Sequence, residues 1–135
     1  MRNQFTEEQE TWLQDLESGD FKQTTENLKD KYGYCCLGVA AERYAPHLVE
    51  YGTGRSSKGN DYGDQLCDDG LVDKLQLYGE TGNFQEVQYI GDHKFGALTE
   101  MNDNGRTFQQ IAEFIREYPW QVFTNFDEPE TEAND

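Results

Sequence analysis

The chain has 135 residues, 27 Asp and Glu against 11 Lys and Arg, and a formal net charge of −16, with a mean hydropathy of −0.95. That length supports one buried core but not two. The acidity disfavours direct binding of DNA or RNA, whose phosphates call for basic clusters, and no apolar run approaches the length of a membrane span.

Thr6-Glu7-Glu8-Gln9 has the form of a capping box, Thr with Gln three residues later. It opens a helix with Trp12, Leu13 and Leu16 on one face, and Gly19 is placed to stop it. Residues 21–31 are polar with Phe21 and Leu28 as anchors, consistent with a short helix or an extended lead-in. Tyr34 to Tyr44 is apolar on nearly all sides and ends before Pro46. It is expected to be a buried helix, with a buried strand as the alternative and Gly38 permitting a close neighbour. His47 to Tyr51 alternates weakly, as a strand would.

Four glycines and two serines between Gly52 and Gly63 mark a long flexible loop, 52–63. Leu71 to Tyr78 suggests a short helix closed by Gly79, and Phe84 to Ile90 one strand or an irregular hairpin. A further helix is expected to start at Phe95 and to stop at Asn102-Asp103-Asn104-Gly105. Thr107-Phe108-Gln109-Gln110 is a second capping box, opening a helix striped by Phe108, Ile111, Ala112, Phe114 and Ile115 and ended by Pro119. Trp120 to Phe126 should cover an exposed face or pair as a strand. The expected fold is one mostly helical α+β domain over 1–126, with about four helices and two or three short strands. An acidic disordered tail, 127–135, follows.

The vicinal pair Cys35-Cys36 sits inside the run Tyr34-Cys35-Cys36-Leu37-Gly38-Val39. Three cysteines make poor disulfide arithmetic, and neighbouring cysteines rarely bridge because their Cβ vectors diverge. Together with His47 and His93 they show no metal-ligand spacing, so neither metal nor cofactor is implied. A nucleophilic Cys needs a lowered pKa. The neighbours Leu37, Val39 and Ala40 instead favour Cys as a small core hydrophobe, and Cys67, beside Asp68 and Asp69, has its thiolate disfavoured.

Three other motifs fail on a specific residue. Lys58-Gly59-Asn60 reverses the order a phosphate loop requires. A calcium loop with Gly105 at its sixth position would put Ile111 where a bidentate Glu is needed. A DNA-reading second helix would be basic, whereas this one carries Glu113 and Glu117 against Arg116.

Three segments taken together resemble a family of small uncharacterised proteins of tailed bacteriophages and prophages. They are Trp12…Leu16-Glu17-Ser18-Gly19-Asp20-Phe21…Gln23…Leu28, the string Tyr34-Cys35-Cys36-Leu37-Gly38-Val39, and Leu98…Met101-Asn102-Asp103…Gly105…Thr107-Phe108…Ile111-Ala112…Ile115. They cover roughly half the chain, in the family's order. The resemblance implies a phage origin and an intracellular life, but no activity; the cysteine pattern and the lack of a signal-peptide core point to the host cytoplasm, with the virion as the other location.

Charge and resemblance together lead to an expected accessory protein that binds a host protein stoichiometrically, for host takeover or anti-defence, in one form by mimicking nucleic acid. The contact carboxylates would be Glu7, Glu8, Glu10, Asp15 and Glu17 on the first helix, Asp64, Asp68 and Asp69, and the tail. A nucleotide-sequestering protein using Tyr51, Arg55, Lys58 and Tyr62 is the alternative, and a virion structural protein a further one. An enzyme built on Cys36 and His93 is the least favoured, so the chain is expected not to be an enzyme.

Overall fold

The computed structural model describes residues 3–49 and 69–129. The loop 52–63, with Tyr51, Asp64, Cys67, Asp68 and the end of the tail, lies outside them.

Helix α1 (Glu7–Ser18) begins with a complete capping box. The Gln9 amide N–H donates to Thr6 Oγ1 at 3.1 Å, and the Thr6 amide N–H donates to Gln9 Oε1 at 2.9 Å. It stops at Gly19, whose φ of 81° is the left-handed conformation of a helix C-cap. Residues 21–31 form no helix: Gln23 bridges to Tyr34, Glu26 takes a φ of 69°, and a two-residue strand follows. Strands β1 (Lys29–Asp30) and β2 (Gly33–Tyr34) pair antiparallel around a tight turn, in which Asp30 Oδ1 accepts from the Tyr32 and Gly33 amides.

Helix α2 (Cys36–Tyr44) is buried from Cys36 to Ala41. Cys35 is its N-cap, with its sulfur accepting from the Gly38 amide at 3.3 Å. Gly38 packs against the backbone carbonyl of Leu28, where a Cβ would collide. Of the strand expected at residues 47–51, the described part, 47–49, holds a 3-10 turn, Pro46–Leu48, because Pro46 supplies a helical φ at its first position.

Helix α3 (Asp69–Leu75) ends before the expected Gly79. Gln76 takes a φ of 57°, and the Leu77 and Gln76 amides donate back to the Val72 and Asp73 carbonyls, a Schellman closure made without glycine. Strands β3 (Asn83–Ile90) and β4 (His93–Ala97) form an antiparallel hairpin, irregular between Asn83 and Gln88. Phe95 therefore lies on β4, and helix α4 (Leu98–Asp103) starts three residues later than expected.

Helix α5 (Phe108–Glu117) has the second capping box, with Gln110 N–H to Thr107 Oγ1 at 3.1 Å. Helix α6 (Pro119–Val122) occupies the segment expected to be a cover or a strand, and only Phe123 makes a β-bridge, to Leu77. The described residues thus form a single α+β domain with six α-helices rather than four, and two small antiparallel sheets.

The core gathers on α1. Trp12, Leu13 and Leu16 are fully buried in one cluster with Leu37, Ala40, Ile111, Ile115 and Phe123, and the Trp12 and Phe123 rings meet edge to face. The Trp12 indole N–H donates to the Cys36 carbonyl at 2.9 Å, which meets the hydrogen-bond demand of a buried Trp. Two amide networks tie distant segments together. Gln9 Nε2 donates to the Leu75 carbonyl and to Asn125 Oδ1. Asn102, buried at the C-terminal end of α4, accepts from Gln23 Nε2 and from the Cys36 amide, and donates to the Thr24 carbonyl. No helix among the described residues is long and apolar enough to cross a membrane.

Candidate functional site

The five carboxylates of α1 do not form one uniform face. Glu7 is exposed at the first turn and Glu8 half-buried. Glu10 and Glu17 both hold Arg116 of α5, at 2.6 and 2.7 Å. Asp15 holds Arg43 of α2 through a bidentate pair at 2.6 and 2.8 Å. The Arg116 hydrogen bond keeps the Glu10 carboxyl below its usual range, against the opposing effect of burial, and the pKa of Arg116 is raised in turn. Three of the five thus brace α1 against its neighbours. Of the other expected contact residues, Asp69 begins α3, while Asp64 and Asp68 lie outside the described residues. So do Tyr51, Arg55, Lys58 and Tyr62 of the expected ligand loop.

Cys36 is fully buried with its sulfur 3.9 Å from the Leu98 carbonyl, and Cys35 is equally buried. His93 is exposed at the start of β4, its ring stacked on Phe95. The core burial of the pair matches the small-hydrophobe reading. Among the described residues no three His, Cys, Asp or Glu side chains come together in a way that could hold a metal ion.

A second polar cluster was not anticipated from the sequence. The Tyr34 hydroxyl donates to Glu42 Oε1 at 2.7 Å, and the same oxygen accepts from Lys29 Nζ at 2.9 Å. The Tyr34 hydrogen bond, with that of Lys29, holds Glu42 below its usual pKa despite partial burial. These contacts fasten the β1–β2 turn to α2.

An open groove of about 320 Å³ lies between β3 and α5. Its helical wall is Gln110, Glu113, Phe114 and Glu117, spaced i, i+3, i+4, i+7 and hence on one face of α5. Tyr118 follows at the helix end. The opposite wall is Gln88, Tyr89 and Ile90 of β3, and Met101 and Phe114 are its buried members. Tyr89 is 73% exposed, the most exposed large hydrophobic side chain described.

Two features shape the chemistry of the groove. Arg106 lies at its edge with its guanidinium over the Phe95 ring, 5.6 Å from the centroid. Glu117, accepting from the Tyr118 hydroxyl, pushes the pKa of that phenol up. The α5 wall is readable from the capping box and helical spacing. The β3 wall is brought to it by non-local packing, which no local pattern signals.

No curated protein and no solved structure matches the chain. One family model does, described as a domain of unknown function, DUF8296, and it matches residues 6–119. That span begins at the N-cap of α1, takes in the core string around Cys35 and Cys36, and includes both walls of the groove. The chain belongs to the DUF8296 family.

Proposed function

We propose that the protein acts by binding rather than by catalysis, as a phage accessory protein that docks stoichiometrically on a basic surface of a host protein in the host cytoplasm. The observation that carries this reading is the imbalance of charge. The chain bears −16 in total, and Arg43 and Arg116, two of its few cations, are already committed to pairs with α1 carboxylates. The carboxylates of Glu7, Glu113 and Glu117 remain exposed, and a field of that sign attracts cationic partners and repels nucleic acid.

The test is affinity capture of the full chain from host lysate, followed by purification of the captured protein and reconstitution. Support requires an equimolar complex by native mass spectrometry that weakens as salt is raised, as screened charge attraction must. An insalubrious outcome for the proposal is a wild-type chain that forms no stoichiometric complex, or one indifferent to salt.

A further inference from the structure

The groove between β3 and α5 has a composition that selects its occupant. Its buried members, Met101 and Phe114, are apolar, while its exposed members include the rings of Tyr89 and Tyr118 and the carboxylates of Glu113 and Glu117. Tyrosine faces attract cations through the ring quadrupole. Arg106, the cation among its lining residues, has its guanidinium over the Phe95 ring, and the two lining carboxylates outnumber it. An anionic ligand would meet net repulsion from the groove and from the whole chain.

A side chain that fits must cover apolar surface with a long stem and present a flat cation at the rim. Arginine does both: its methylenes pack while its planar guanidinium stacks on aromatic faces and forks onto carboxylates. We propose that this groove is the docking site for an arginine-bearing segment of a basic protein partner, with the guanidinium stacked on the tyrosine rings and answered by Glu113 and Glu117. The inference rests on the binding reading above and gives it a location.

The test is an NMR titration of the isotopically labelled full chain with a blocked Gly-Arg-Gly-Arg-Gly peptide and with its citrulline counterpart, which keeps the shape and removes the charge. Saturable shifts confined to residues 88–90 and 110–118, seen with the arginine peptide only, support the site. Tyr89→Ser combined with Glu113→Gln, both at exposed side chains, should weaken the peptide about tenfold by removing one cation–π contact and one charge. Glu7→Gln with Glu8→Gln should leave it unchanged. Shifts that map to α1, equal binding of the citrulline peptide, full binding by the Tyr89→Ser, Glu113→Gln variant, or occupation of the groove by a nucleoside monophosphate would each overturn the proposal.

The two readings fail separately. A host complex untouched by Tyr89→Ser with Glu113→Gln keeps the acidic-surface function and sinks the groove. Groove-confined arginine binding without any host complex sinks the function and supports the site.

Discussion

Gly38 of α2 lies directly against the carbonyl oxygen of Leu28, with no space between them for a Cβ. That carbonyl also accepts from the Cys35 amide, so the obstacle is held backbone and cannot swing aside. Alanine at this position would gain about 1 kcal/mol of helix propensity. It would also impose an overpacking cost of about 1–3 kcal/mol, and more where backbone must shift. Because the obstacle is backbone, the cost falls at the upper end of that range, and Gly38→Ala is expected to lower the free energy of unfolding by about 2 kcal/mol in urea titrations. An unchanged midpoint would refute the close approach.

Asn102 offers a polar counterpart. Its amide serves the Cys36 N–H at the start of α2, the Gln23 side chain and the Thr24 carbonyl, all from a fully buried position. Removing it strands buried donors and acceptors at about 1–3 kcal/mol each. Asn102→Ala should cost about 3 kcal/mol or more on that scale. Asn102→Asp should fail to restore stability, because a carboxylate has no N–H to give the Thr24 carbonyl. Thermal melts of the two variants decide this, and a near-wild-type Asp variant would contradict the assignment.

The pairing of Glu10 with Arg116 has a pH signature. The folded-state pKa of Glu10 is lowered from the model-peptide value of 4.5 by the Arg116 hydrogen bond. The folded protein therefore holds its carboxylate proton less tightly than the unfolded chain does. The resulting stability is fully present above pH 4.5 and is lost as the pH falls through the lowered folded value. The gap between wild type and Glu10→Gln is expected to be about 1 kcal/mol or less at neutral pH, since the pair is a third exposed, and to close in acid. A gap that widens toward acid would give the opposite sign and rule the linkage out.

At the head of α2 the sulfur of Cys35 does the work of an N-cap oxygen. Serine can take over that acceptor role, so Cys35→Ser should stay within about 1 kcal/mol of wild type, whereas Cys35→Val, which cannot accept, should be the less stable of the two. Alkylation of the native protein, mapped by mass spectrometry, should reach Cys35 and Cys36 only as denaturant opens the core, given their complete burial. Rapid labelling of Cys36 in native buffer would revive it as a nucleophile.

The elements visible in the sequence were those with local causes. The Thr6 and Thr107 capping boxes, the Gly19 stop and the apolar stripe from Phe108 to Ile115 all depend on neighbours within four residues, and all appear as expected. The misplacements have non-local causes. Phe95 has the look of a helix start but is claimed by pairing across the hairpin to Gln88. Gln76 ends α3 in a conformation usually given to glycine, while its carbonyl receives the Thr124 amide from the far end of the chain.

The same division holds for the candidate sites. A run of acids on α1 looks like a docking face until α2 and α5 bring Arg43 and Arg116 to it. Tyr89 gained its interest only when β3 was laid beside α5.

Gln9 finds Asn125 across 116 residues of chain, and Asn125 in turn donates to the Gln4 carbonyl while its own carbonyl takes the Asn3 amide. On the ribosome, where synthesis runs from the N-terminus, the Gln9 amide is answered in full only once Asn125, 116 residues later, has emerged. The domain is therefore latched from its last segment. A chain cut after residue 119, where the family match ends, would lack Phe123 and Asn125 and leave both Trp12 and Gln9 facing an open seam.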